Sequence, residues 1–146
     1  MINKTETAMQ KFISGYNCAQ AVLYSFKDDI NITGDEALKL ACGFGAGMGR
    51  KGEVCGAVAG GIIALGAKYG RGENDDKADT ERTYSKTREL MDKFEAKHGA
   101  FICRELLNGC DLSSEEGQMN FRNNDLFNAT CKKCVGSVVR ILEEIL

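Results

Sequence analysis

The 146-residue chain contains no proline, so it lacks the residue that most sharply interrupts a helix, and long unbroken helices are expected. It also lacks any run of about 18 apolar residues, which argues against a membrane-spanning helix. The opening segment Met1-Ile2-Asn3-Lys4-Thr5-Glu6 is polar and lacks the apolar stretch of a signal peptide. Positive charge is not in excess: 19 Lys and Arg stand against 21 Asp and Glu, a net charge of −2. With a pI near 5.5, no nucleic-acid footprint is expected. Strand-like alternation and internal repeats are absent too. The expectation is a cytoplasmic protein that engages neither membrane nor nucleic acid.

What the chain does have is a 43% apolar content, ordinary for one globular domain and enough for a real core at this length. It also has seven cysteines, at positions 18, 42, 55, 103, 110, 131 and 134. An odd count without an export signal argues against a structural disulfide framework. In a reducing compartment such cysteines serve metals or redox chemistry more often, although two or three of the seven are expected to be small core residues.

Hydrophobic spacing divides the chain, read as one domain over residues 1–146, into about five to six helices. Met9, Phe12, Ile13, Tyr16, Ala19, Val22, Leu23 and Phe26 predict a first helix over about 5–28. A second is expected after Thr33, a cap residue followed by Asp35 and Glu36. The run Gly43-Phe44-Gly45-Ala46-Gly47-Met48-Gly49 disfavours regular structure. A glycine-rich helix over about 52–69 is apolar nearly all round, which marks the centre of a bundle. The next, over about 75–97, is charged with a narrow stripe of Tyr84, Thr87, Leu90, Met91 and Phe94. A short helix over 100–108, a polar loop from Cys110 to about Asp125 and a last helix over about 129–146 complete an all-α helical bundle.

Three cysteines fall at predicted helix starts: Cys55 and Cys131 in a first turn, with Asn128 as the cap before Cys131, and Cys103 at the start of the short helix. Free N–H groups and the helix dipole favour thiolate there. Arg50 and Lys51, Arg104, and Lys132 and Lys133 add positive charge nearby. Cys18 is expected inside the first helix. Cys131-Lys132-Lys133-Cys134 is a CxxC, a spacing suited to a redox disulfide at a helix start. No βαβ context supports a thioredoxin reading, no second CxxC supports a zinc ribbon, and Val135 in place of histidine excludes c-type haem attachment.

Gly15-Tyr16-Asn17-Cys18-Ala19-Gln20-Ala21-Val22, Gly43-Phe44-Gly45-Ala46-Gly47-Met48-Gly49-Arg50 and Cys55-Gly56-Ala57-Val58-Ala59-Gly60 are jointly specific. With Phe94, Cys103-Arg104-Glu105-Leu106-Leu107 and the Cys131-centred last helix, they cover nearly the whole chain. In these segments the chain resembles the CGCAxxGCC-motif family of redox-active proteins. The resemblance implies a redox role and four hallmark cysteines, which fall by position on Cys18, Cys55, Cys103 and Cys131. Cys42, Cys110 and Cys134 are then extra, so a different fourth ligand or a resolving thiol stays open.

Other residues read more plainly. Gly47-Met48-Gly49-Arg50-Lys51-Gly52 fits GxGxxG, but a dinucleotide site needs a preceding strand, and Ala37 to Ala41 reads as helix. Close packing around the cysteines is the expected use of these glycines, ahead of an anion contact to Arg50 and a helix N-terminus. His98, the single histidine, is expected to be structural at a helix end, with proton donation near Cys103 as the other reading.

Three functions follow. In the first, Cys18, Cys55, Cys103 and Cys131 hold an iron–sulfur cluster and pass electrons to an unknown redox partner. The second is a metal-free thiol–disulfide oxidoreductase, in which a low-pKa Cys55 or Cys131 attacks a disulfide and a neighbouring thiol such as Cys134 resolves it. The third is a zinc-stapled or purely apolar interaction module. Self-association into a homodimer through the exposed side of the glycine-rich helix is a further expectation.

Overall fold

The computed structural model describes residues 3–146; Met1 and Ile2, which open the polar N-terminal segment, lie outside the described residues. The described residues form eight helices: α1 (Lys4–Ile13), α2 (Cys18–Ser25), α3 (Gly34–Ala41), α4 (Gly56–Tyr69), α5 (Lys77–His98), α6 (Cys103–Leu106), α7 (Glu115–Asn123) and α8 (Lys132–Ile145). The described residues contain no strand, only an isolated antiparallel bridge between Val54 and Ile102. The all-helical expectation holds, with eight helices in place of five or six.

Both additional helices have a local cause. The helix expected over 5–28 breaks at Gly15, whose φ of 111° is left-handed, and restarts at a capping box. There Asn17 accepts from the Gln20 N–H, and the Gln20 side chain accepts from the Asn17 N–H. The loop expected over 110–125 contains α7, because Ser114 caps it by accepting from the Gly117 N–H at 2.9 Å and Glu115 and Glu116 suit its positive end. Thr33 and Glu36 form the reciprocal cap that starts α3.

The glycine-rich α4 lies at the centre, packed against α2, α5 and α8. Close approach requires its glycines: a Cβ on Gly60 would stand 2.6 Å from the Ala19 carbonyl oxygen of α2, and one on Gly61 would press on Leu90 and Val138. Gly56, Gly60 and Gly61 are therefore interior. Phe26, Leu65, Leu90, Phe94, Val135, Val138 and Leu142 complete the core, all almost fully buried. Tyr84, expected on the buried stripe of α5, is exposed instead.

The last helix does not begin at an Asn128 cap. Residues Phe127–Cys131 form a π turn that runs directly into α8, and the Asn128 side chain donates to the Asp125 carboxylate at 2.9 Å. A π turn widens the helix by one residue and so re-aims the side chains on it. His98 donates or accepts a hydrogen bond with Ser137 at 2.8 Å and stacks on Phe94, which is a structural role.

Candidate functional site: a cysteine-lined cavity

The Gly45–Met48 segment and the residues after it carry a run of left-handed backbone: Ala46, Gly47, Met48, Gly49, Arg50 and Gly52 all have positive φ. Three of these are not glycine, and strain of this kind collects at functional sites. The turn directs the chain into the Val54–Ile102 bridge, where the Cys55 N–H donates to the Phe101 carbonyl at 2.7 Å and the Cys103 N–H donates to the Glu53 carbonyl at 2.6 Å. Two cysteines 48 positions apart are thereby fixed side by side, each at a helix start: Cys55 caps α4 and Cys103 opens α6. Gly47 is needed here, since its Cβ would lie 2.8 Å from the Cys103 Cβ. The GxGxxG segment thus serves packing around a cysteine, with no strand before it.

Cys18 is not inside a helix, as the periodicity suggested; it is the first residue of α2, set there by the Asn17 cap. Its sulfur rests against Gly56, where any Cβ would collide with it. Cys131 ends the π turn and Cys134 follows one turn later, on the same face. Cys18, Cys55, Cys103, Cys131 and Cys134 all line one cavity of about 140 Å³. Its remaining walls are largely apolar, including Phe12, Ala46, Leu107, Leu112, Phe121 and Phe127.

The other two cysteines differ. Cys42 is exposed and outside this cavity. Cys110 is buried behind Cys103, and its thiol donates to the Gly117 carbonyl at 3.1 Å. His98 is not part of the cavity wall, so the structure does not bring it to Cys103 as a proton donor.

The electrostatics reverse one expectation. Helix-start placement and nearby cations led to low-pKa thiolates, but burial pushes the Cys18 thiol from 9.0 up to about 12, and the neighbouring Cys55 adds to the shift. Burial likewise pushes Cys103 up to about 12, with Cys55, Cys18 and Cys110 contributing and only Arg104 opposing. Cys55 is raised by the Cys134 thiol beside it and then by burial. Cys131 is raised by burial and then by Cys18, Cys55, Cys103 and Cys110. Helix-start amides do act in the expected sense, those of Val58 and Ala57 on Cys55 and that of Ala19 on Cys18, joined there by the Ala46 amide from the left-handed turn, but desolvation and crowding outweigh them. Five thiols in one apolar cavity cannot ionise together without a compensating cation.

A pH dependence follows for reduced, metal-free protein. Below pH 9.0 the thiols are protonated in both folded and unfolded chains and contribute no difference. Between 9.0 and about 12 the unfolded chain releases protons that Cys18 and Cys103 retain in the fold, so stability falls as pH rises through that window. Denaturant midpoints measured below and above pH 9.0 should show the decline, and Cys18→Ser should make it shallower.

A family model described as "Putative redox-active protein (C_GCAxxG_C_C)" matches residues 16–145. The chain belongs to this family. The C_GCAxxG_C_C match begins just before Cys18 and ends at Ile145, so it takes in every cysteine of the cavity. No curated protein and no solved structure gives a significant match. Among the described residues no helix is long and apolar enough to cross a membrane, and no set of three or more His, Cys, Asp or Glu side chains closes on a single metal ion.

Proposed function

We propose that this C_GCAxxG_C_C protein holds an iron–sulfur cluster on Cys18, Cys55, Cys103 and Cys131 and works in electron transfer. The observation that carries the reading is the convergence of cysteines from four separate parts of the chain on one apolar cavity of about 140 Å³. That is the order of size that accommodates a benzene-sized group, more than one metal ion occupies. The ligands named are all thiols, which suits iron–sulfur coordination. All-thiol sets also hold zinc; it is the volume, larger than one ion fills, that favours a cluster. When bound, such a cluster supplies one-electron redox chemistry. The chain's own part is to exclude water with Phe12, Leu107, Leu112 and Phe127 and to present thiols that a cation deprotonates.

A second reading has its own support. The Cys55 and Cys134 thiols lie beside each other on the cavity wall, so this pair, more than Cys131 with Cys134, suits a reversible disulfide. Raised thiol pKa values oppose rapid attack on an external disulfide, which makes it the runner-up.

Anaerobic purification with a visible spectrum and iron, sulfide and zinc analysis tests the proposal. Iron with matching sulfide and a reducible visible band is the expected result; colourless, metal-free protein with a Cys55–Cys134 disulfide on oxidation supports the second reading. Between the CxxC cysteines, Cys131→Ser should lose the iron and Cys134→Ser should retain most of it.

A further inference from the structure

Ala46, Leu112 and Phe121, which wall the cysteine cavity, also line a second cavity of about 300 Å³ that opens to solvent. It is lined by those three residues together with Arg50, Gln118 and Arg122. Gln118, Phe121 and Arg122 stand at i, i+3 and i+4 on α7 and so share one helix face. Arg50 reaches the same space from the left-handed turn, where its φ of 71° holds it in a conformation that non-glycine residues seldom adopt. Neither Arg50 nor Arg122 has a carboxylate partner among the described residues. Asp111, next to Leu112, is paired with Arg104 at 3.4 Å, and the Asp125 carboxylate accepts from the Asn128 side chain. Gln118 donates to the Leu112 carbonyl at 3.0 Å, which ties the helix face to the cavity wall.

We infer that this second cavity binds a small organic anion, its carboxylate or phosphate group held by Arg50 and Arg122 and its apolar body lying on Leu112 and Phe121. Two arginines without a carboxylate partner, both solvent-exposed, line a pocket with an apolar wall and match such a ligand in charge, and a volume near 300 Å³ is at the small end of ligand pockets. It shares Ala46, Leu112 and Phe121 with the cysteine cavity. The binding does not rest on the redox reading above.

Phenyl phosphate, benzoate and inorganic phosphate, titrated into the full chain and followed by amide chemical shifts, test the inference. Phenyl phosphate should bind more tightly than inorganic phosphate, and a benzoate affinity near that of phenyl phosphate would assign the site to carboxylates as well. Arg50→Gln and Arg122→Gln should each weaken binding about tenfold, while Arg88→Gln, on the exposed face of α5, should leave it unchanged. Binding that is equally weak in all variants overturns the inference. Iron and sulfide content of the same preparations separates the two proposals. Arginine-dependent binding in iron-free protein sustains the anion site and sinks the cluster, and iron-replete protein without such binding does the reverse.

Discussion

Cys55→Ser protein is expected to emerge from anaerobic purification without iron and without a visible band, yet folded as well as the parent. The two halves of this result have separate physical grounds. Serine offers a poor ligand to iron, and Cys55 lies beside Cys134 and close enough to Cys18, Cys103 and Cys131 to raise the pKa of each. Removing it takes one ligand from the centre of the set. The fold should tolerate the change because Cys55 is the N-cap of α4, where serine is among the preferred residues. Its hydroxyl can accept from the Ala57 or Val58 N–H that now faces the sulfur. The metal-free melting temperature of Cys55→Ser should therefore equal or exceed that of the metal-free parent. Cys42→Ser, at an exposed cysteine outside the cavity, should keep both iron and colour. If Cys55→Ser retained full iron and colour, the cavity would not be the cofactor site.

How much of this was legible in the sequence depends on which residues carried the signal. The central helix was readable because its apolar character runs all round, and α8 because Val135, Val138, Leu142 and Ile145 mark one face that is indeed buried. The break before Cys18 was missed because an apolar period runs straight through it, while Tyr16 and Ile13, counted in that period, are exposed. The decisive marks were Gly15 and the Asn17-x-x-Gln20 cap, which were there to be read. The same holds for Ser114 ahead of two glutamates, the signature of α7. Two features had no such mark. The π turn at Phe127–Cys131 depends on tertiary packing, and the left-handed run from Ala46 to Arg50 puts alanine, methionine and arginine where composition favours glycine alone.

The cysteines show the same division. Resemblance and helix-start placement singled out Cys18, Cys55, Cys103 and Cys131, and these four line the cavity along with Cys134. Their protonation was misread, because local helix dipoles and flanking cations are visible along a chain while burial and crowding of thiols from distant segments are not. Neighbouring charge also proved a poor guide in detail: Lys132 lies over the Phe127 ring, and Arg104 is shared with Asp111.

The glycines of α4 provide the other large effect, and three alanine variants on one helix should diverge. Alanine in place of an interior helical glycine gains up to about 1 kcal/mol from backbone propensity alone. At Gly66 nothing lies within 4 Å of the added Cβ, so Gly66→Ala should realise that gain and raise the melting temperature by a few degrees. At Gly60 the Cβ meets backbone, 2.6 Å from the Ala19 oxygen and 3.0 Å from its Cα. Helix α2 must then move away, at an overpacking cost of about 1–3 kcal/mol that outweighs the propensity gain, and Gly60→Ala should melt lower. At Gly56 the first obstacle is the Cys18 sulfur, followed by the Phe44 oxygen at 3.0 Å. A thiol can rotate where backbone cannot, so Gly56→Ala should lose less stability than Gly60→Ala but should drive Cys18 out of its position. The expected outcome is a folded protein with iron content reduced as severely as in Cys18→Ser. Thermal melts and iron analysis across the three variants check both parts. A Gly56→Ala protein with a full complement of iron would mean that Cys18 is dispensable to the site.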